Sequence, residues 1–168
     1  MSLTVEDLRV LLRNYARLEQ AAARMFLNWA AEESDPALRS TLEEFAEIEK
    51  TQAHALVMHL KEVGGELGNE PVPIESAINE YLVQIDRLPT LAQRLRFNYT
   101  VMSTLERPVV MQALLSSNPR TLELFHGILN NEDRILSWCD QTSAELGCAS
   151  LDPRTIEDSG SVSAQALS

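Results

Sequence analysis

The sequence has few residues that interrupt helices. Its 168 residues include six glycines and seven prolines, and four long windows contain almost none of them: 3–33, 36–64, 90–116 and 119–147. These windows are rich in leucine, alanine, glutamate and arginine, which are residues that favour helix. The composition therefore predicts an all-α protein built on four long helices.

Cysteine is also scarce. The chain has two cysteines, Cys139 and Cys148, which lie nine residues apart, and it has no CxxC pair. A disulfide framework, a cysteine-ligated zinc site and a rubredoxin-type iron site are therefore not indicated. We expect both cysteines to be free thiols.

Basic residues and long apolar runs are lacking too. The chain has 14 basic and 25 acidic residues and a formal net charge of -11, which repels nucleic acid and anionic membrane surfaces. The opening "MSLTVEDLRVLL" carries acids where a signal peptide needs basic residues, and no apolar run approaches the ~20 residues that span a bilayer. We therefore expect a cytoplasmic protein with no nucleic-acid partner and no membrane partner.

The windows are separated by helix-capping or helix-breaking residues, namely Asp35-Pro36, the segment 64–73, Pro89-Thr90 and Asn118-Pro119. Short connections favour antiparallel hairpins, so the first helix pairs with the second and the third with the fourth. A long crossover joins the two hairpins and carries a short helix predicted from Ile74 to Asp86. We expect one helical domain over residues 1–150 and a flexible polar tail over residues 151–168.

Two stretches of the chain begin and end alike. They are "SDPALRSTLEEFAEIE", residues 34–49, and "SNPRTLELFHGILNNE", residues 117–132, and each has a glutamate thirteen residues after its proline. Such an S-[D/N]-P cap sets the register of the helix that follows it. The repeat predicts that the two glutamates occupy equivalent places in the two hairpins.

One glutamate interrupts the apolar stripe of each long helix: Glu19, Glu49, Glu106 and Glu132. Glu19 and Glu49 are each fifteen residues from position 34, and Glu106 and Glu132 are each thirteen from position 119. Each member of a pair therefore lies about 20 Å from its own turn, at a rise of ~1.5 Å per residue. We expect each pair to meet across its hairpin and the four carboxylates to converge at mid-bundle.

Four buried, ionised and unpaired carboxylates would cost several kcal/mol apiece, so their charge must be compensated. None of the four stripes contains a lysine or an arginine, and the nearby Arg107 and Arg134 are turned away from their glutamates. Protons or metal cations remain as the compensating charges. The two similar stretches are then half-sites of one pseudo-twofold site.

This pattern resembles the ferritin-like superfamily, in which two helical hairpins joined by a crossover hold a di-iron or di-manganese centre. That superfamily places a glutamate on the first and third helices and a Glu-x-x-His motif on the second and fourth. Glu19 and Glu106 match the single glutamates, and Glu49 and Glu132 match the first members of the motifs. The resemblance covers about residues 3–147. It departs at the motif histidines, because Gln52 and Ile135 stand in their places.

The resemblance implies a ferritin-like antiparallel four-helix bundle with two iron or manganese ions and oxidase or oxygenase chemistry. The predicted metal-binding residues are Glu19, Glu49, Gln52, Glu106 and Glu132, an oxygen-rich set that suits hard cations. We expect no ligand role for the three histidines, His54, His59 and His126. The missing motif histidines favour an alternative, a metal-free bundle that serves as a binding or assembly partner.

The resemblance also predicts a homodimer, because ferritin-like bundles commonly pair through flat helical faces. The apolar residues expected to face outward and to supply such a face are Val57, Leu60, Val101 and Val110. The redox partner, the substrate and the identity of the metal do not follow from these residues.

Overall fold

The computed structural model describes residues 3–69, 74–113 and 118–151, including all their side chains except those of 105–113. It contains five helices: α1 (Val5–Glu32), α2 (Pro36–Glu62), α3 (Glu75–Asp86), α4 (Leu91–Ala113) and α5 (Pro119–Glu145). None of the described residues forms a strand, which confirms the prediction of an all-α protein. The predicted tail lies, except for Leu151, outside the described residues.

The similar caps of the two repeated stretches begin α2 and α5. The Asp35 side chain accepts hydrogen bonds from the backbone N–H groups of Ala37 and Leu38 at 2.7 and 3.3 Å. The Asn118 side chain does the same for Arg120 and Thr121 at 3.0 and 3.3 Å. Each cap is followed by a proline in the first turn, where the missing N–H has no intrahelical acceptor. The two helices therefore start with the same local geometry.

The most extensive contacts between helices are those of α1 with α2 and of α4 with α5. This pairing agrees with the hairpins predicted from the short connections. The two pairs touch through α2 with α5 and α1 with α4, and α3 packs against α1 and α4. The described helices include none that is long and apolar enough to cross a membrane.

Two apolar clusters form the main core, one on either side of the predicted carboxylate level. The first contains Phe26, Trp29, Phe45, Leu95 and Ile135, among others. The second contains Leu12, Tyr15, Leu56, Leu60 and Phe125, among others. On α1, α2 and α5 the stripe glutamate stands between a member of one cluster and a member of the other. The carboxylates thus divide the core into two halves.

Two details of the predicted faces are wrong. Leu60 is fully buried in the second cluster and does not face outward, so it cannot belong to a dimer surface. On α5, steps of three and four residues from Glu132 predict a buried stripe through Leu129 and Leu136, but the buried stripe passes through Ile128 and Ile135, and Leu129 and Leu136 are only half-buried. The physical reason is a cavity between α4 and α5, which Leu129 and Leu136 line.

Candidate metal centre

Three of the predicted glutamates converge in the core. Glu19 from α1, Glu49 from α2 and Glu132 from α5 are 1, 2 and 7% exposed. Each offers a carboxylate oxygen, and these oxygens all lie within 4.8 Å of one another. Carboxylates are rarely buried so deeply. The matched spacings in the sequence therefore correspond to a real meeting point of three helices.

The fourth predicted glutamate, Glu106, lies within α4, but its side chain is outside the described part of the structure. Along α4, Asn98, Met102 and Glu106 follow one another at intervals of four residues, a spacing that keeps to one helical face. Asn98 and Met102 both line the cavity at the glutamates. The helical register is thus compatible with Glu106 near the site, and its participation stays a prediction.

Gln52 joins the site as a hydrogen-bond donor. Its Nε2 group donates to Glu19 Oε2 and to Glu49 Oε2, at 3.2 Å in each case. Its Oε1 atom accepts a hydrogen bond from Asn131 Nδ2 at 2.7 Å. The amide therefore faces the carboxylates with its N–H groups, and the carbonyl oxygen that we expected to bind a metal is held by Asn131.

Burial raises the pKa of Glu49 well above its ordinary value, because the ionised form loses its hydration. The charge of Glu19 and a hydrogen bond with Glu19 raise the pKa further, whereas the hydrogen bond from Gln52 lowers it. A raised pKa means that the metal-free site favours a proton at Glu49. The Gln52 amide, which donates to both carboxylates, compensates part of the charge of the buried cluster.

A cavity of about 20 Å³ lies at the three glutamates. A volume of that size holds about one water molecule or one monatomic ion. The remaining lining residues come from α1, α4 and α5: Leu18, Ala22, Met25, Phe26, Asn98, Met102 and Ile135. Ile135, three residues after Glu132, thus lines the cavity with hydrocarbon and supplies no metal ligand.

Asn98 is a polar residue of the site that the sequence analysis missed. It is buried, lines the cavity, accepts a hydrogen bond from Tyr81 Oη at 2.5 Å and donates one to Cys139 Sγ at 3.6 Å. Steps of three and four residues along α4 predict an apolar stripe through Leu95, Tyr99 and Met102, and that stripe leaves out Asn98. A buried asparagine within a helix is uncommon. Asn98 lies four residues before Met102 and therefore on the same face of the helix, and this spacing is the signal in the sequence that could have identified it.

Both cysteines are free thiols, as predicted. Cys139 is fully buried on the same face of α5 as Glu132, about two turns further along, and burial raises its pKa to about 12, with smaller contributions in the same direction from the charges of Glu132 and Glu49. A thiol with such a pKa stays protonated at neutral pH. Cys139 therefore packs as an apolar residue beside the site.

The three histidines lie away from the glutamate cluster. His54 and His126 are exposed. His59 is buried, where Nε2 contacts Thr121 Oγ1 at 2.8 Å and Nδ1 contacts Glu62 Oε2 at 3.1 Å. The contact with Thr121 connects α2 to α5, at a position ten residues after Glu49 on α2.

Arg134, which we expected to turn away from Glu132, forms an ion pair with the exposed Glu44. The metal ligands that the described site offers are the oxygens of three carboxylates, because the carbonyl oxygen of Gln52 accepts a hydrogen bond from Asn131. That set fits manganese, iron or magnesium better than zinc or copper.

A comparison of the chain with protein-family models, with curated proteins and with solved structures finds no match.

Proposed function

We propose that this chain is a ferritin-like four-helix bundle that binds two iron or manganese ions and performs oxidase or oxygenase chemistry. The observation that carries the proposal is the convergence of Glu19, Glu49 and Glu132, whose carboxylate oxygens lie within 4.8 Å of one another in the core. Three helices contribute one carboxylate each, as in a dimetal carboxylate site. Burial of all three is costly unless a cation compensates them.

Each residue has a part in the proposed site. Glu19, Glu49 and Glu132 would hold the first ion, and Glu106 is the proposed fourth carboxylate that a second ion requires. Because burial and Glu19 raise the pKa of Glu49, a cation that binds this carboxylate competes with a proton for it. A bound metal would supply electron exchange with dioxygen or peroxide, and six of the ten described residues that line the cavity are apolar.

Gln52 and Ile135 favour a second candidate function. Gln52 already satisfies oxygens of Glu19 and Glu49 without a metal, and Ile135 presents hydrocarbon at a motif position. These two residues favour a metal-free bundle that acts as a binding or assembly partner. A homodimer, which we continue to propose, is compatible with either function.

Metal-dependent stability separates the two functions. Protein purified without chelators is analysed for bound metal, and its melting temperature is then compared in EDTA and in saturating Mn²⁺ or Fe²⁺. Binding to the folded state increases the free energy of unfolding by about 2.7 kcal/mol at a hundredfold excess over the dissociation constant, and the melting temperature rises accordingly. The double variant Glu49→Gln and Glu132→Gln should lose this response and keep its helical circular dichroism.

Glu43→Gln is the matched control for the double variant. Glu43 is exposed on α2, the helix that carries Glu49, so this variant should keep the full metal response. A wild-type melting temperature that is the same with EDTA and with either metal would reject the dimetal function and leave the metal-free bundle.

A further inference from the structure

The amide of Gln52 stands where a further metal ligand would be needed. Its Nε2 atom lies 3.2 Å from Glu19 Oε2 and 3.2 Å from Glu49 Oε2. Neighbouring oxygens around an octahedral hard cation are about 3.0 Å apart, because each lies ~2.1 Å from the ion. The end of the Gln52 side chain is therefore at the spacing of a ligand, but the atom at that end is a nitrogen, whose hydrogens a cation repels.

A half-turn of the Gln52 amide brings its oxygen to the same place. The carbonyl and NH₂ ends of a primary amide are nearly equal in size, and the last torsion of a glutamine side chain is broad and roughly two-fold. The exchange of the two ends therefore needs no movement of α2. It needs an acceptor for Nε2 at the position where Oε1 now accepts a hydrogen bond from Asn131.

Asn131 can serve as either partner of Gln52. Its Nδ2 group donates to Gln52 Oε1 at 2.7 Å, and Gln52 is its one hydrogen-bond partner among the described residues. Because an asparagine amide carries both a donor and an acceptor, a half-turn of Asn131 lets its Oδ1 accept from Gln52 Nε2. Asn131 is half-buried, so water can satisfy the end that faces away from Gln52. The hydrogen bond between the two amides is thus kept in both positions.

We infer that Gln52 and Asn131 form a two-position amide switch, in which both side-chain amides turn over when a hard divalent cation binds. The inference rests on the proposed metal function. Without a cation, Gln52 Nε2 donates to the carboxylates of Glu19 and Glu49. With a cation, Gln52 Oε1 faces the ion as a ligand, and Asn131 is the positioning residue that accepts the hydrogen bond from Gln52 Nε2.

Gln52→Leu tests the switch by the sign of its effect. If Gln52 becomes a ligand, the variant lacks that ligand, and its dissociation constant for Mn²⁺ should rise by about tenfold. If the amide only donates to the carboxylates, the variant frees their oxygens and binds Mn²⁺ more tightly, which would overturn the switch. The free Mn²⁺ signal in electron paramagnetic resonance measures binding. Thr51→Leu, at the exposed neighbouring position, is the control and should bind Mn²⁺ like the wild type.

Asn131→Asp tests the part of Asn131. An ionised aspartate accepts hydrogen bonds and donates none, so it holds Gln52 with its oxygen toward the carboxylates before a cation binds. Mn²⁺ binding should therefore tighten by about tenfold. The added charge also attracts cations, and the Gln52→Leu background measures that contribution alone, which should be about twofold. Equal tightening by Asn131→Asp in the two backgrounds would overturn the switch.

The switch and the proposed function fail in different ways. Wild-type protein that binds Mn²⁺, with Gln52→Leu binding it equally well or better, would overturn the switch and leave the metal site in place. Wild-type protein that binds no Mn²⁺ would overturn the proposed function and the switch together. If Gln52→Leu does not fold, a crystal structure of the wild type with Mn²⁺ decides: the switch places the Gln52 oxygen about 2.2 Å from the ion, and an ion held by carboxylates without Gln52 would overturn it.

Discussion

Asn131 Nδ2 donates a hydrogen bond to Gln52 Oε1 at 2.7 Å, and this contact between α5 and α2 orients the Gln52 amide. Because the carbonyl oxygen of Gln52 accepts this hydrogen bond, the Nε2 group of Gln52 faces Glu19 and Glu49 and donates to both. Gln52 thus stabilises negative charge in the metal-free core without carrying a charge of its own. A cation at the same carboxylates would compete with these hydrogen bonds.

Gln52→Glu should enlarge the response of the protein to metal. The new carboxylate removes two hydrogen bonds and adds a negative charge beside Glu19 and Glu49, so in EDTA at pH 7 the variant should be less stable by about 2–4 kcal/mol. Saturating Mn²⁺ should raise its melting temperature by more than that of the wild type, since it gains a ligand.

Thr51→Glu is the control for Gln52→Glu, because Thr51 is the exposed neighbour on the same helix. It adds the same charge outside the core and should change neither the stability in EDTA nor the response to Mn²⁺. A Gln52→Glu variant as stable in EDTA as the Thr51→Glu control would contradict the buried arrangement.

The raised pKa of Glu49 predicts how the stability of the metal-free protein depends on pH. The folded protein binds a proton at Glu49 more tightly than the unfolded chain, whose carboxyl has its ordinary value of 4.5. The stabilisation is complete below that value and is lost as pH rises through the folded pKa. In EDTA, the free energy of unfolding should therefore increase as pH falls from neutral toward mildly acidic values.

Other carboxylates also titrate in this range. The contribution of Glu49 is therefore obtained as the difference in the free energy of unfolding between the wild type and a variant without this carboxyl group. Urea unfolding of the wild type and of Glu49→Gln is measured at several pH values between 4.5 and 8. The wild type should gain stability relative to the variant as pH falls. A constant difference between the two proteins would show that Glu49 does not titrate with a raised pKa.

Cys139 should resist thiol reagents in the folded protein. Its thiol is fully buried and its pKa is raised to about 12, so the reactive thiolate is nearly absent at pH 8. A chromogenic disulfide reagent should label one thiol, the half-buried Cys148, in native protein and two thiols in guanidinium chloride. Cys148→Ser should abolish the native reaction, and rapid labelling of that variant would contradict the burial of Cys139.

Three arginines of α1 hold the segment that follows α2. Arg9 Nε donates to Val63 O at 2.9 Å, Arg13 Nε to Glu66 O at 2.9 Å and Arg17 Nη2 to Gly68 O at 2.7 Å. Their spacing of four residues matches one face of a helix. The segment 63–68 therefore lies along α1 instead of extending into solvent.

Arg13→Ala should loosen this segment without unfolding the bundle. The loss of one partly exposed hydrogen bond should cost about 0.5–1 kcal/mol of global stability. Amide hydrogen exchange should accelerate at residues 64–69 and stay unchanged in α5. The exposed Arg24 of the same helix provides the control Arg24→Ala, and equal exchange in the two variants would argue against the arginine contacts.

Thr121→Val should destabilise the junction of α2 and α5. Thr121 and His59 are 0 and 2% exposed, and the isosteric valine leaves His59 Nε2 without its hydrogen bond in a dry environment. An unsatisfied buried polar group costs about 1–3 kcal/mol. Urea unfolding should show a loss of that size for Thr121→Val and a smaller one for Thr121→Ser, which keeps the hydroxyl group.

Local features of the sequence were enough to predict the helices and the level of the glutamates. Asp35 and Asn118 cap their helices through contacts within three residues, and such contacts depend on neighbours in the chain alone. Once a helix has begun, its rise fixes the height of every later residue. The meeting of Glu19, Glu49 and Glu132 follows from this register, so sequence spacing predicted it.

Only the tertiary structure decided which atoms face the site. Ile135 and Leu136 are both apolar and lie 100° apart on α5, and the packing of α4 determines which of them reaches the core. The amide of Gln52 is oriented by Asn131, which is 79 residues away in the chain. Asn98 enters the site because Tyr81 and Cys139, from two other helices, take up its hydrogen bonds. Contacts between distant segments carry no periodic signal in the sequence, so these details required the fold.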